Sequence, residues 1–533
     1  MLALALAVPF IWRLDAEEFH GDEAHWITSG QQAVHLLAAG RFLDAQWREE
    51  FYLYSQPQIG KLAIGAALWV AGYRGPTPIY DYDWQRRPAE NRALGRVPPD
   101  GAILAARVPG ALAGWLACLL TWALAAELGG PAAGRLGAVL LASHPLWLAN
   151  ARRAGLDAIA LCLGLLAAYA AVRAIGAGAR GAAGRPPSPG LVARRTPVPL
   201  PRWVVAGVAL GLGAGAKYVA LAAALAAAPA LLIHRRRGLL LLGVGTMLAV
   251  SGLTFWATNP TLYRRPALQL RASLDFLAWQ AAAMRRQSPV FASRALVAVE
   301  VVDRAVWPLG YPRVVDLTLP EALVPGSYGT PVVGLGAAAA LVLLVTRRAS
   351  RRDLPVVAVA WTAAVFVLLV LTVPIWWERW HLPLIPPLCL LAGAGLAGLG
   401  RRRAALGWAL GAAQFGAALA MGPSYLGRGF GALTTSPWGA AAHAAALAVT
   451  LAALVSQRGR GGAGGAPSWV ARARSRLACR DSGLPNSNLV VPGPAPSGPP
   501  GAFPAWDGSH GRRAALEGQP RPRAEAGGGG SNR

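Results

Sequence analysis

The sequence predicts an all-α, polytopic membrane protein of about 12 transmembrane helices, with amphipathic helices in its outer loops. Its 533 residues are 54% hydrophobic and 14% charged, and the mean hydropathy is +0.39. Soluble globular domains carry about 25% charged residues. Apolar runs of roughly 17 to 25 residues, each long enough to cross a bilayer, recur along most of the chain.

The apolar runs define a predicted membrane domain over residues 1–455, which contains two polar regions, 13–102 and 258–330. Residues 1–12 are apolar but too short to span a bilayer, and we interpret them as the outer end of a first transmembrane helix. The other apolar segments cover residues 103–126, 131–148, 155–175, 203–216, 217–233, 238–257, 331–346, 354–374, 380–399, 404–421 and 437–455. Residues 456–533 are rich in Gly, Pro, Ser and Arg, which predicts a disordered cytoplasmic tail.

Arginines set the expected orientation. They cluster in the connector 176–202 and in the short runs 234–237, 347–353 and 401–403. Because positive charge stays on the cytoplasmic side, these connectors are predicted to be cytoplasmic. Regions 13–102 and 258–330 then become outer loops, with the apolar run 62–72 along the interface. The net charge of +26 is explained by this topology, so nucleic acid is not an expected partner.

Carboxylates are scarce, so their positions are informative. Of 25 acidic residues, only Glu127 and Asp157 lie between positions 101 and 257. Asp22 and Glu23 form an adjacent pair before the amphipathic stretch 24–37. Such a pair is often a solvated acidic loop, but a carboxylate at a membrane surface is also suited to act as a general base on a hydroxyl group. We therefore take Asp22 and Glu23 as candidate catalytic residues.

Cations near these outer segments are candidates for binding a phosphate leaving group. Lys61 and Lys217 are the two lysines of the chain, beside 49 arginines, and each lies at the edge of an apolar segment. Arg379 lies in the stretch IWWERWHLPLIPP. Lys and Arg neutralise developing negative charge well in a site of low dielectric constant. For Lys61 the alternative is snorkelling to the interface.

Four further residues are predicted to support the site: Arg152, Asp157, Tyr218 and Glu378. Asp157 opens an apolar helix, where the helix dipole favours a negative charge. Pairing of Asp157 with Arg152 is an equally open expectation. The four cysteines show no CxxC or Cys/His spacing, so neither a disulfide framework nor a metal site is expected, and no cofactor is predicted.

Taken together, the motifs resemble glycosyltransferase family 39 of the GT-C superfamily, which includes protein O-mannosyltransferases and lipid-linked sugar transferases such as the aminoarabinose transferases. The resemblance covers about residues 20–400. Its elements are Asp22-Glu23, the run Gln56 to Leu62 that contains Lys61, Arg107-Val108-Pro109, Arg152 with Asp157, Gly211 through Lys217-Tyr218, and Glu378-Arg379-Trp380 with Pro383. Gln56 stands where the pattern has His, so no role of an imidazole there is carried over.

The resemblance implies transfer of a sugar, mannose or similar, from a polyprenyl-phosphate donor to an acceptor hydroxyl with inversion. Asp22, with Glu23, would deprotonate the acceptor, which would be a protein, lipid or glycan. Lys61, Lys217 and Arg379 would hold the phosphate. The reaction would take place on the extracytoplasmic face of the cytoplasmic membrane, without a metal.

Two other classes of function remain open. A secondary transporter or lipid flippase would have a similar number of helices, but transporters place coupling charges near the bilayer midplane, often in paired broken helices. Here the acids cluster in outer loops and no half of the chain repeats the other, which favours an enzyme. A structural subunit of a cell-envelope complex is the third possibility, and the tail alone supports it.

Overall fold

A computed structural model describes residues 1–75, 78–183, 200–226, 237–287, 293–305, 331–346, 354–373, 378–398 and 408–409. Within these ranges the chain is helical and contains no β-strand, as the all-α prediction requires. All of them belong to one unit, Met1–Arg460. The predicted segments 404–421, apart from two residues, and 437–455, together with the predicted tail 456–533, lie outside the described residues.

The outer region is built from short helices, and the rest of the described chain from longer ones. Up to residue 93 the helices are α1 (Leu2–Ala5), α2 (Val8–Ile11), α3 (Gly21–Ala38), α4 (Gln46–Glu49), α5 (Phe51–Tyr54), α6 (Gln58–Val70) and α7 (Pro88–Ala93). The following helices are α8 (Asp100–Gly129), α9 (Pro131–Ala142), α10 (Pro145–Ala151), α11 (Asp157–Ala183), α12 (Leu200–Ala216), α13 (Arg237–Ala257), α14 (Pro266–Gln287), α15 (Arg294–Ala305), α16 (Pro331–Thr346), α17 (Leu354–Thr372) and α18 (Ile385–Gly398). Shorter 3-10 helices cover Leu14–Ala16, Tyr218–Ala226, Pro260–Leu262 and Glu378–Leu384.

Four helices in the described part are long and apolar enough to cross a membrane: Asp100–Gly129, Asp157–Ile175, Leu240–Ala257 and Arg379–Gly398. Shorter apolar helices cover Gln58–Val70, Pro131–Ala142, Leu200–Ala216, Val332–Leu344 and Val356–Thr372. The total of about 12 spans therefore stays a prediction.

Three predicted segments differ in detail. Residues 1–12 form two short helices instead of one helix end. The segment 131–148 is divided at His144, because Pro145 disfavours helical geometry for the residue before it and starts α10. The segment 217–233 begins as the 3-10 helix Tyr218–Ala226.

Glycine and proline define the tight turn between α8 and α9. Gly130 has φ of 85°, a left-handed conformation that favours glycine, and Pro131 occupies the first turn of α9. The two long helices are thereby joined by a single residue.

Helices α3 and α6 cross with their backbones in contact. A Cβ atom placed on Gly65 would lie 2.0 Å from the carbonyl oxygen of Gly30, and one on Gly30 would lie 2.8 Å from the backbone nitrogen of Gly65. Only glycine allows this approach at both positions. The crossing fixes the outer helix α3, which carries the candidate carboxylates, against the helix that carries Lys61.

Candidate active site

Asp22 and Glu23 lie in the first turn of α3, held there by a capping box. The backbone N–H of His20 donates to Glu23 Oε2 at 2.9 Å, and the backbone N–H of Asp22 donates to His20 Nδ1 at 3.3 Å. Both carboxylates therefore lie at the end of the helix where its dipole favours negative charge. The two side chains nevertheless point to different surroundings.

Asp22 forms an ion pair with Arg379, which lies in the 3-10 helix Glu378–Leu384, 357 residues later in the chain. The Asp22 side chain is 28% exposed and that of Arg379 is 26% exposed. Burial is the largest single influence on Asp22 and raises its pKa, but the charge and hydrogen bond of Arg379, together with the charges of His20 and His25, lower the pKa to about 2. Asp22 is thus an ionised carboxylate that solvent reaches.

Glu23, in contrast, is enclosed. It is 1% exposed and accepts two hydrogen bonds of 2.8 Å from Arg107, through Nε and Nη2. The backbone N–H of Ala154 also donates to Glu23 Oε1 at 2.9 Å. With its oxygens occupied in this way, Glu23 is suited to fixing α3 against α8 and the 152–156 turn rather than to accepting a proton.

Arg152 does not pair with Asp157, so that expectation is wrong. Its Nε donates to Glu17 Oε2 at 2.9 Å, and its Nη atoms donate to backbone carbonyls of the segment 9–13. Arg152 follows α10 and extends toward the carbonyl of Pro9 in α2 and those of Trp12 and Arg13 after it, which a guanidinium group with several donors satisfies well. The sequence did not identify Glu17, the acidic partner of Arg152, as a candidate site residue.

Asp157 pairs instead with Lys217. Lys217 Nζ donates to both carboxylate oxygens of Asp157, at 2.7 and 2.8 Å, and so joins the start of α11 to the end of α12. Tyr218 follows at the start of a 3-10 helix and packs against Phe255, with ring centroids 5.9 Å apart.

Lys61 is fully buried. Its Nζ donates to the backbone carbonyls of Tyr52 at 2.9 Å and Leu53 at 2.6 Å, which ties α6 to the short helix α5. Burial lowers the pKa of Lys61 well below its usual range. Burial also lowers the pKa of the neighbouring His25 to about 3, and the charge of Lys61 acts in the same direction.

Of the predicted site residues, the structure brings Asp22 and Arg379 into direct contact, and Glu378 immediately precedes Arg379. Lys217 contacts another predicted site residue, Asp157, whereas Lys61 bonds to backbone carbonyls. The sequence analysis missed Glu17 as the partner of Arg152, and it quoted Arg107 only as part of a motif. The scarcity of acids was the available signal for Glu17, since it lies in the same acidic stretch as Asp22.

No group of three or more His, Cys, Asp or Glu side chains is placed to hold a metal ion in the part of the chain that the structure describes. The absence of a metal requirement stays a prediction.

Comparisons with known proteins agree with the motif resemblance. Residues 28–254 match the family model for dolichyl-phosphate-mannose-protein mannosyltransferases. Over those residues, this match agrees with the resemblance to family 39 of the GT-C superfamily. A search of curated proteins found no match.

Two solved structures were found to be similar to this chain. One is the oligosaccharyltransferase AglB from Archaeoglobus fulgidus, in complex with an inhibitory peptide and a dolichol-phosphate, with 14% identity and a TM-score of 0.49 over 82% of this chain and 58% of that one. The other is ArnT from Cupriavidus metallidurans bound to undecaprenyl phosphate, with 18% identity and a TM-score of 0.48 over 85% of this chain and 69% of that one. This chain therefore spans less than two thirds of the length of the archaeal protein.

Proposed function

We propose, from the match of residues 28–254 to the mannosyltransferase family model, that this chain is a membrane glycosyltransferase that uses a polyprenyl-phosphate-linked sugar. The sugar is mannose or a similar hexose or pentose, and the acceptor is a hydroxyl group of a protein, lipid or glycan. Transfer occurs on the extracytoplasmic face, where the arginine distribution puts the outer loops. The known proteins AglB and ArnT, with bound dolichol-phosphate and undecaprenyl phosphate, have the same class of lipid as ligand.

One observation carries the chemical part of the proposal: a partly exposed, ionised carboxylate, Asp22, lies in contact with a partly exposed guanidinium, Arg379. An inverting transfer needs a base for the acceptor hydroxyl and a cation for the phosphate that leaves on the other side of the sugar. Asp22 and Arg379 supply these two groups at one place.

The proposed step balances as follows. The acceptor oxygen attacks the anomeric carbon, the bond from that carbon to the phosphate oxygen breaks, and the hydroxyl proton passes to Asp22. Polyprenyl phosphate leaves with the bonding electron pair. While Arg379 is paired with it, Asp22 is a weak base, because its pKa is about 2. A donor phosphate that draws Arg379 away raises the basicity of Asp22, so donor binding prepares the base.

The test is sugar transfer by membranes that contain the protein, from radiolabelled polyprenyl-phosphate mannose. We expect Asp22→Asn to lower the rate by about 10²- to 10⁴-fold, because the base is lost while the shape of the side chain is kept. Asp100→Asn is the matched control, since Asp100 also starts a helix but its side chain is 79% exposed in a surface pair with Arg92.

Transfer that survives Asp22→Asn at the wild-type rate contradicts the assignment of the base. Absence of transfer by the wild-type protein, together with uptake or flipping of a solute or lipid, favours the transporter or flippase instead.

A further inference from the structure

The cations that surround the candidate carboxylates are mostly occupied. Arg379 is paired with Asp22, Arg107 with Glu23, and Arg152 with Glu17. The two lysines are also engaged, Lys217 by Asp157 and Lys61 by two backbone carbonyls. A phosphate group that enters this region meets few guanidinium or ammonium groups that are not already bonded.

Arg153 differs from these residues. Its side chain makes no hydrogen bond or ion pair with any residue that the structure describes, and its Nε atom is buried without a partner. A buried donor without a partner destabilises the folded state, and more so when it is charged. Such a group in a native structure requires an explanation, and a ligand supplies one.

The position of Arg153 is fixed by its neighbours in the chain. Arg152 is bonded to Glu17 and to the segment 9–13, and the backbone N–H of Ala154 is bonded to Glu23. The backbone of Arg153 therefore lies beside the start of α3. The charge of Arg153 acts on both the His20 ring and the Glu17 carboxylate, and the His20 ring lies 3.8 Å from Asp22 Oδ2.

We infer that Arg153 binds the phosphate group of the lipid-linked donor beside Asp22 and Arg379. This inference rests on the proposed function. A guanidinium group presents paired N–H donors that match two phosphate oxygens, and these charge-assisted hydrogen bonds are among the stronger ones in proteins. Arg379 and Arg153 then hold the phosphate together, and the bond to Arg153 satisfies the buried donor that is unpartnered without a ligand.

The test measures ligand binding separately from catalysis. Purified protein in detergent is titrated with farnesyl phosphate, farnesol and inorganic phosphate, and binding is followed by tryptophan fluorescence. We expect Arg153→Ala to weaken farnesyl phosphate binding by about 10- to 100-fold, since one charge-assisted interaction is lost. Arg153→Lys is expected to restore part of the affinity, and farnesol is expected to bind equally to all variants.

Arg135→Ala is the matched control, because it removes an equally positive side chain that is exposed on α9, toward the other end of the helical bundle. In the transfer assay, Arg153→Ala is expected to raise the KM for the donor more than it lowers kcat. Size-exclusion profiles of both arginine variants establish that the fold is kept, and Arg153→Lys serves if Arg153→Ala fails to fold.

Unchanged binding of farnesyl phosphate by Arg153→Ala overturns the inference, even when the wild-type protein transfers sugar and the proposed function stands. Inorganic phosphate that competes as well as farnesyl phosphate also overturns it, since the site would then bind free phosphate. Arg153-dependent binding without any transfer by the wild-type protein counts against the proposed reaction but keeps the phosphate site.

Discussion

Asp22 and Glu23 are neighbours in the chain, yet their surroundings prepare them for different tasks. The Asp22 side chain is 28% exposed and has one guanidinium partner from a distant part of the sequence, whereas Glu23 is 1% exposed and is held by Arg107 and two backbone N–H groups. Exposure decides which of the two can meet a substrate. The pair therefore separates into one candidate base and one structural anchor.

The structural role of Glu23 leads to a prediction about stability. Glu23→Gln leaves Arg107 as a buried charge without a full counter-charge, and breaking a buried ion pair typically costs about 3–5 kcal/mol. We expect a clearly lower unfolding temperature for Glu23→Gln and an unchanged one for Asp22→Asn, measured by fluorescence in detergent. Equal effects of the two substitutions would contradict the division of roles.

Two histidines of the same region predict a loss of stability in acid. Burial lowers the pKa of His25 from 6.5 to about 3 and that of His20 to about 4. As the pH falls below 6.5, the unfolded chain takes up protons that the folded chain does not, so stability decreases until the folded pKa is reached. The slope from His25 is at most about 1.4 kcal/mol per pH unit.

The measurement is the unfolding temperature between pH 7 and pH 4. We expect His25→Asn to flatten its dependence on pH, because the group whose pKa differs between the folded and unfolded states is removed. His35→Asn, the same change at an exposed position of α3, is the control. A decrease with pH that is as steep in His25→Asn as in the wild-type protein would argue against the buried neutral imidazole.

For individual residues, the sequence predicted the candidate base better than it predicted the ion pairs and hydrogen bonds around that base. Asp22 and Arg379 were identified because acids are scarce and because both lie in recognisable motifs. The pairing of Arg152 with Glu17 joins residues 135 positions apart, and no local pattern encodes it. Lys61 was predicted to hold phosphate because of its motif, but its ammonium donates to backbone carbonyls of α5. This contact depends on the position of the short helix α5 beside α6, which the local sequence does not indicate.

Among the helices, the crossing of α3 and α6 matters most for the site, because α3 carries Asp22. The contact depends on two glycines, Gly30 and Gly65, at the point of closest approach. Their backbones touch because neither residue has a Cβ atom. Any added carbon at Gly65 forces the helices apart, and with them the position of the carboxylates.

Overpacking a protein core typically costs about 1–3 kcal/mol, and we expect Gly65→Ala to destabilise the protein by more than this. The new Cβ atom would lie 2.0 Å from the carbonyl oxygen of Gly30, which belongs to the backbone and cannot rotate away. The matched control is Gly245→Ala in α13, where a Cβ atom meets nothing within 4 Å and helix propensity improves. Unfolding temperatures of the two variants should move in opposite directions. A neutral Gly65→Ala would show that the helices are not in contact.

The helices themselves were largely predictable from apolar periodicity, since most predicted segments coincide with a helix to within a few residues. The exceptions are segments in which a proline or contacts with other helices determine the local structure. Pro145 divides one predicted segment, and the stretch after Lys217, whose ammonium is bonded to Asp157, forms a 3-10 helix. Hydropathy alone detects apolar length, not the type of helix.

For the whole molecule, the arginine-rich connectors predict which ends of the helices face the cytoplasm. In this orientation α8 begins outside, beside the segment that carries Asp22, and ends inside at the turn at Gly130. Leu94, 54% exposed after α7, then lies outside, and Ala132, exposed at the start of α9, lies inside. These two positions test the topology.

We expect an impermeant maleimide to label Leu94→Cys in intact cells and Ala132→Cys only after permeabilisation. The described cysteines Cys118, Cys162 and Cys389 are buried, so a Cys479→Ser background suffices to suppress labelling of native thiols. The reverse pattern would invert the topology and would place Asp22 on the cytoplasmic face.

The pairing of Asp22 with Arg379 also has a consequence for biosynthesis. The ribosome must add 357 residues after Asp22 before its partner exists, which takes on the order of 20–70 s at typical elongation rates. During that interval the nascent chain carries an exposed carboxylate without its counter-ion. On the proposed mechanism, a product terminated before Arg379 has Asp22 but not the cation that pairs with it, so we expect such a product to transfer no sugar.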